Sequence, residues 1–140
     1  MSGIMEAGKM LFTFDLQTQA KEAMIDITHL AAKTVKEAGI KEGFCLVYVP
    51  HTTAGVTINE NADPDVVTDI LAALARIVPA GGYRHGEGNS PAHIKASLMG
   101  SNQTVVIHEG RLVLGTWQGI YFCEFDGPRR RKVHVKVWEG

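Results

Sequence analysis

The sequence predicts a single α+β domain, and three observations support this. A chain of 140 residues has the length of one domain and buries roughly two-thirds of its unfolded surface on folding. Apolar residues make up 45% and charged residues 21%, as in ordinary globular proteins. Candidate strands occupy both ends of the chain with helices between them, and the consecutive strands near the C-terminus favour antiparallel pairing.

The N-terminal part alternates strands with one helix. Residues 9–16 alternate apolar and polar side chains, which predicts a first strand, and residues 23–27 predict a short second one. Thr28 is a suitable N-cap for the helix that follows, and Gly39 is a suitable C-terminal stop. The apolar stripe of this helix contains Ala31, Val35 and Ala38.

The middle of the chain predicts a buried strand and two more helices. Residues 43–49 are almost wholly apolar, which is typical of a central strand, and residues 54–58 are expected to continue it. The next helix begins at Asp63-Pro64 and ends at Pro79, and the third begins at Ser90-Pro91 and ends at Gly100. Residues 79–89 between them are rich in glycine and predict a loop.

The C-terminal part predicts strands only. Residues 103–108 and 111–114 flank Glu109-Gly110, which is a hairpin signal. Residues 118–125 and 132–138 are the remaining strands. In the last of these, valines alternate with lysine and histidine, which predicts one buried and one exposed face.

Composition also limits location and partners. The net charge of −1 argues against a nucleic-acid-binding surface. No basic-then-apolar leader and no apolar run near ~20 residues is visible, so we expect a cytoplasmic protein that does not bind membranes. Cys45 and Cys123 each lie in an apolar run, which predicts buried, reduced thiols.

Histidines form the first candidate site. His51 directly follows a strand, His85 lies in the glycine-rich loop, and His93 lies in the first turn of the third helix. With Glu60 they have the composition of a divalent-metal site, although their spacing matches no zinc signature. The alternative is that they are surface groups without a shared role. No role is assigned to His29, His108 and His134.

The second candidate site is a turn followed by three arginines. Asp126-Gly127-Pro128 predicts a turn, and the guanidinium groups after it suit phosphate binding. On a strand, Arg129 and Arg131 share one face while Arg130 points to the other. The alternative is a solvated turn in which the arginines pair with Glu124 and Asp126.

The start of the third helix is a further candidate anion site. Asn89 precedes it, and Gly86 and Gly88 permit close approach of a ligand to the backbone. The loop lacks the spacing and the lysine of a nucleotide-phosphate loop. No Gly-x-Ser-x-Gly elbow occurs, and neither cysteine has the motif of a nucleophile.

Motifs distributed over nearly the whole chain carry a family resemblance. They are HTTAGVTINE at residues 51–60, His85, Asn89, AHIK at 92–95, GRLVLGTWQ at 110–118 and EFDGPR at 124–129. In this order they resemble the secondary thiamine-phosphate synthase family, also called YjbQ-like proteins. The resemblance implies a compact α+β fold of two packed sheets, assembled as a homotrimer.

The resemblance also implies an activity and a site. Family members resemble enzymes that join a hydroxymethylpyrimidine diphosphate to a thiazole phosphate. The matched polar residues are the implied site residues: His51, Glu60, His85, His93, Asp126 and Arg129.

The implied reaction suggests a role for each group. Glu60 and Asp126 are expected to hold magnesium and, with Arg129, to be catalytic. Asn89, Lys95 and Arg129 are expected to bind the phosphorylated substrate. His51, His85 and His93 are expected to bind a metal and suit zinc better, because magnesium prefers oxygen ligands.

Two alternative functions remain open at the level of the sequence. The histidine cluster also suits a metal-dependent hydrolase, in which a metal-bound water attacks the substrate. A non-enzymatic trimeric protein that binds a small anionic metabolite fits the same residues.

Overall fold

Two antiparallel sheets and three helices make up the part of the chain that the structure describes. The computed structural model describes residues 3–6 and 11–140, and the side chains from residue 11 onward. The larger sheet has six strands in the order β1-β2-β9-β4-β6-β7, and the smaller has the order β3-β8-β5. The strands are β1 (Gly3–Glu6), β2 (Leu11–Gln17), β3 (Ala23–Asp26), β4 (Gly43–Tyr48), β5 (Ala54–Glu60), β6 (Asn102–His108), β7 (Arg111–Leu112), β8 (Gln118–Glu124) and β9 (Arg130–Glu139). The helices are α1 (Thr28–Ala38), α2 (Pro64–Ile77) and α3 (Ser90–Met99).

The main core lies between the two sheets. Alternation along the strands of the larger sheet turns one face inward, so that Val133, Val135 and Val137 of β9 are buried together. The inner face of the smaller sheet contributes Val56 and Phe122 to the same cluster, and α1 adds its apolar stripe. The predicted α+β class is therefore confirmed.

A second apolar cluster covers the other face of the smaller sheet. Leu74 of α2 and Ala96 of α3 pack there with Tyr121 and Cys123 of β8. Because β8 has covered residues on both faces, it is a nearly continuous apolar run rather than an alternating strand. Both cysteines are buried and form no disulfide, as predicted.

The helix boundaries follow the predictions, but the caps differ at α1 and α3. In α3, Asn89 is the residue before the helix and the predicted cap Ser90 is its first residue. The side chain of Asp63 accepts from the backbone N–H of Asp65 at 2.9 Å and caps α2 as expected. Gly39 ends α1 with a φ of 69°, the left-handed conformation that glycine adopts readily. Thr28, however, is the first residue of α1, and its hydroxyl and N–H both donate to Asp26 instead.

The strands differ from prediction in three places. Residues 54–58 do not continue β4, because the chain crosses after Val49 from the larger sheet to the smaller one. β1 was not predicted, and β7 ends at Leu112. The strand predicted over residues 9–16 is β2, which begins at Leu11, and the predicted positions 9 and 10 lie outside the described residues. None of the helices in the described residues is long and apolar enough to cross a membrane.

The sheet topology brings three separate segments to one end of the molecule. Ala54 at the start of β5 pairs with Glu124 at the end of β8, so the loops beyond them are adjacent. The backbone N–H of Phe125 donates to the carbonyl of Thr53 at 3.2 Å. Arg131 of β9 and His93 of α3 line the same cavity, described next.

Candidate functional site

A cavity of about 430 Å³ lies where these segments meet, and we call it the histidine–arginine cavity. Its walls come from the crossover between the sheets, from the glycine-rich loop with the start of α3, and from the turn before β9. The lining residues are 50–53, His85, Glu87, Asn89, His93, Asp126, Arg129 and Arg131. Its size is that of a small-molecule site.

His51 is held by a backbone hydrogen bond that fixes its tautomer. Its Nε2 accepts the N–H of Lys132 at 2.9 Å. An accepting ring nitrogen carries no proton, so in the neutral ring the proton is on Nδ1. Burial lowers the pKa of His51, and the charge of Arg131 lowers it further. His51 is therefore a neutral hydrogen-bond donor through Nδ1.

His85 and His93 come from different elements and meet edge to face. Their ring centroids are 5.5 Å apart, with an interplanar angle of 88°. His93 lies on α3, whereas His85 lies in the loop before that helix. Within residues 11–140, no three His, Cys, Asp or Glu side chains are close enough to hold a metal ion as they stand. A metal at His51, His85 and His93 therefore stays a prediction.

Asp126 organises the opposite wall. Its carboxylate Oδ2 accepts from Arg129 Nη2 at 3.0 Å and from Asn89 Nδ2 at 2.9 Å. Its backbone carbonyl accepts from Arg129 Nε at 2.8 Å. The hydrogen bonds of Arg129 to Asp126 use Nε and Nη2, so Nη1 is not engaged in this contact. The wall thus presents a fixed and partly exposed guanidinium.

A buried ion pair supports the cavity from behind. Glu124 is fully buried and accepts from Arg131 through both carboxylate oxygens, with Nε at 2.8 Å. The Thr18 hydroxyl donates to Glu124 Oε1 at 2.7 Å, and the Asp126 N–H donates to Oε2 at 3.0 Å. Arg131 also donates to the hydroxyl of Thr53 at 2.9 Å. One carboxylate thus connects the strands and the turn around the site.

The sequence favours an anion-binding arginine group, with pairing of the arginines to Glu124 and Asp126 as the alternative. The structure forms both pairs, Arg131 with Glu124 and Arg129 with Asp126, but the first is buried rather than solvated. A signal was present, because Arg131 falls on the same face of β9 as Val133, Val135 and Val137. An arginine in register with buried valines indicates a buried guanidinium, which requires a carboxylate partner.

Six of the predicted site residues line the histidine–arginine cavity: His51, His85, Asn89, His93, Asp126 and Arg129. Arg131 lines it as well, while Arg130 lines a different cavity, as its strand register requires.

Two predicted residues lie elsewhere. Glu60 ends β5, six residues from Ala54, which is roughly 20 Å along a strand. The structure thus separates Glu60 from Asp126, its expected partner in holding magnesium. Lys95 is buried, with its Nζ 2.6 Å from Glu22 Oε2, and it lines an adjacent cavity. The length of β5 determines the position of Glu60, and the rotation of α3 determines that of Lys95. Neither can be read from a local sequence motif.

Comparison with known proteins gives the family. Residues 12–140 match the family model described as UPF0047 protein YjbQ-like. A UPF0047 protein of Methanocaldococcus jannaschii is 52% identical over 130 residues, covering 92% of this chain and 94% of its own. UPF0047 protein YugU of Bacillus subtilis is also 52% identical over 130 residues, covering 91% and 98%.

Solved structures agree with the sequence relatives. A YjbQ/UPF0047 family protein from Clostridium acetobutylicum superposes with a TM-score of 0.89 at 59% identity, covering 90% of this chain and 98% of its own. A YbjQ-like protein of unknown function from Sulfolobus solfataricus gives 0.89 at 32% identity, covering 93% and 96%. The match over almost the whole chain, in sequence and in fold, shows that this protein belongs to the YjbQ-like UPF0047 family.

Proposed function

We propose that the histidine–arginine cavity binds the phosphate group of a small phosphorylated substrate. The observation that carries this proposal is the convergence of hydrogen-bond donors from three separate segments. Arg129 contributes a guanidinium and His51 contributes Nδ1–H, while His85 and His93 add two further imidazoles. Phosphate oxygens are acceptors, so this arrangement is complementary to them.

Arg129 is the cationic group of the lining that an anion can reach, because its guanidinium is half exposed and pairs with Asp126 through Nε and Nη2 only. Glu124 compensates the buried charge of Arg131, so Arg131 acts mainly as a rigid wall. Asp126 holds Arg129 from one side and fixes the plane of its guanidinium. A fixed guanidinium loses less conformational entropy when it binds phosphate, and it matches two phosphate oxygens at once. The start of α3 adds a favourable dipole at the same place.

As the reaction, we propose the synthesis of thiamine phosphate. The nitrogen of the thiazole phosphate attacks the methylene carbon of hydroxymethylpyrimidine diphosphate. A new C–N bond forms, the C–O bond breaks, and diphosphate leaves with the electron pair. Arg129 and His51 would stabilise the negative charge on the departing diphosphate, and Asp126 would keep Arg129 in place. No proton has to be removed, because the product is a thiazolium cation.

A second candidate function is hydrolysis of a phosphate ester with a divalent metal, zinc or magnesium. The observation in its favour is the contact between His85 and His93, with Asp126 and Glu87 lining the same cavity. A divalent ion would lower the pKa of a bound water and polarise the phosphate. Elemental analysis of the purified protein, repeated on His85→Ala and His93→Ala, tests this candidate: both variants should lose a stoichiometric metal.

Calorimetric titration with inorganic phosphate and diphosphate tests phosphate binding. We expect Arg129→Lys to weaken binding by about tenfold or more, because a charged hydrogen bond contributes about 1.5–3 kcal/mol. The melting temperature should change little. Arg130→Lys is the matched control, because this neighbouring arginine lines another cavity. A lower melting temperature with unchanged affinity would mean that Arg129 only braces the turn.

Activity measurements separate the three functions that the site residues suit. The protein is incubated with both thiamine precursors and, separately, with a chromogenic phosphate ester and zinc or magnesium. Formation of thiamine phosphate, lost in Arg129→Lys, supports the transferase. Metal-dependent release of phosphate supports the hydrolase. Phosphate binding without either reaction supports a non-enzymatic binding protein and contradicts the proposed reaction.

A further inference from the structure

A second cavity of about 460 Å³ adjoins the first, and we call it the lysine–glutamate cavity. It shares Glu87, Asn89 and Asp126 with the histidine–arginine cavity, so the same residues form the wall between them. Its volume suits part of a small molecule, and its position is next to the expected phosphate.

The lysine–glutamate cavity contains an ion pair whose lysine is nearly buried. The side chain of Lys95 is only 9% exposed, and its Nζ donates to Glu22 Oε2 at 2.6 Å. An ammonium group has several N–H donors, and this contact uses one of them. Burying a lysine is unfavourable unless its N–H donors are hydrogen-bonded. Because Lys95 lines the cavity, a polar ligand group there could accept from its remaining donors.

Asn89 adds an unpaired acceptor at the shared wall. Its Nδ2 donates to the Asp126 carboxylate, which as an anion only accepts, so the orientation of the amide is fixed. Its Oδ1 is then the remaining amide atom, and it is buried without a hydrogen-bond partner among the described residues. An unsatisfied buried acceptor is unfavourable, so a small movement that gives it a donor is favoured.

Apolar side chains complete the cavity. Val78, Ala92 and Phe125 are among its lining residues. The cavity therefore combines an apolar surface with a donor at Lys95 and with acceptors at the carboxylates of Glu22, Glu87 and Asp126. Such a lining matches an organic group of a few atoms that both donates and accepts hydrogen bonds.

We propose that the lysine–glutamate cavity binds the organic part of the phosphorylated ligand and selects one with hydroxyl or amino groups. A hydrocarbon of the same size would leave polar groups of the cavity without partners, and a site built this way discriminates strongly against it. The inference rests on the proposed function, because the phosphate must first lie in the histidine–arginine cavity.

Competitive calorimetry on the full chain tests the selection. The probes are inorganic phosphate, propyl phosphate, glycerol 3-phosphate and phosphoethanolamine. We expect at least one of the two polar esters to bind about tenfold or more tightly than propyl phosphate. If inorganic phosphate itself does not bind, the proposed function fails. If phosphate binds and neither polar ester is preferred over propyl phosphate, only the present inference is overturned.

Substitution assigns the preference to the second cavity. Lys95→Met removes the donor at similar length, and Glu22→Gln keeps the shape of the partner without its charge. In both variants the ratio of affinities for polar and propyl esters should fall towards unity. Lys33→Met is the control, because Lys33 forms an exposed ion pair with Glu37 on α1. If Lys95→Met does not fold, Glu22→Gln decides, and an unchanged ratio there overturns the proposal.

Discussion

At the scale of single residues, Glu124 determines how the site is held. Burial on its own raises the pKa of this carboxyl group, but hydrogen bonds from Arg131, Thr18 and the Asp126 backbone outweigh burial and lower it. Glu124 is therefore ionised at neutral pH although no part of it reaches solvent. Its folded pKa lies below the ordinary value, so its stabilising contribution is lost as the pH falls through the folded pKa.

We expect Glu124→Gln to reduce the free energy of unfolding by about 3–5 kcal/mol, because it leaves the charge of Arg131 buried without a counter-charge. Urea unfolding at neutral pH measures the change. Glu37→Gln is the matched control, since Glu37 pairs with Lys33 at 3.8 Å on the surface, and it should change stability by less than about 1 kcal/mol. Equal small effects in both variants would contradict a structural role for the buried pair.

His51 should make stability depend on pH. Its folded pKa is lowered, mainly by burial, whereas in the unfolded chain it titrates near 6.5. Below about pH 6.5 the unfolded chain therefore binds more protons, so stability should fall as the pH falls. His51→Gln retains an acceptor for the Lys132 N–H but does not titrate. Its unfolding free energy, measured between pH 7 and 5, should vary less than that of the native protein.

The comparison for this experiment is His29→Gln on α1, which removes a histidine that does not line the cavity. If His29→Gln flattens the pH dependence as much as His51→Gln does, the effect cannot be assigned to the hydrogen bond of His51.

At the scale of elements, close contact between β5 and α3 positions His93. A methyl group built on Gly55 would lie 2.7 Å from the carbonyl oxygen of Gly100 and 3.1 Å from Met99 Cβ. The N–H of Val56 donates to the same carbonyl at 3.0 Å. Only a residue without a side chain lets the strand come this near to the end of the helix. The helix that carries His93 is thus fixed against the smaller sheet.

We expect Gly55→Ala to destabilise the protein by about 1–3 kcal/mol, because the helix backbone must move to make room. Phosphate affinity should also fall, since His93 moves with α3. Thermal unfolding and phosphate titration measure the two effects. Gly81→Ala serves as the control, because nothing lies within 4 Å of its added methyl group. If the Gly55→Ala protein is as stable as the native one, α3 can move away from β5 without loss of folding free energy, and the close contact does not fix the helix.

The elements also show what the sequence alone can predict. The sequence predicts where α2 and α3 begin, since a cap residue followed by proline is a local signal, although the residue at the cap of α3 is Asn89 rather than Ser90. The crossover after Val49 was missed because alternation and apolarity report that a strand is present, not which sheet it joins. The same limit explains Glu60: its motif is continuous with His51, but an extended strand carries it away from the cavity.

At the scale of the whole molecule, the surface combines a nearly neutral charge with exposed apolar side chains. The net charge is −1, so long-range repulsion between copies is weak. Ile94 and Leu98 stand one turn apart on the outer side of α3, and Leu98 is 59% exposed. Val106 and Val113, also exposed, are linked by a backbone hydrogen bond of 2.8 Å beside β7.

We propose that the chain assembles as a homotrimer, as its resemblance to YjbQ-like proteins implies, and that α3 takes part in the contact. Ile94 and Leu98 follow His93 on that helix, so a neighbouring copy would lie beside the histidine–arginine cavity. Light scattering at micromolar concentration should give three times the chain mass of 15.2 kDa. Leu98→Glu should shift the mass towards the monomer, because it places a charge in an apolar contact. Lys33→Glu on α1 is the control and should leave the mass unchanged. A native mass of one chain would contradict the trimer, whereas an unchanged trimer in Leu98→Glu would place the contact away from α3.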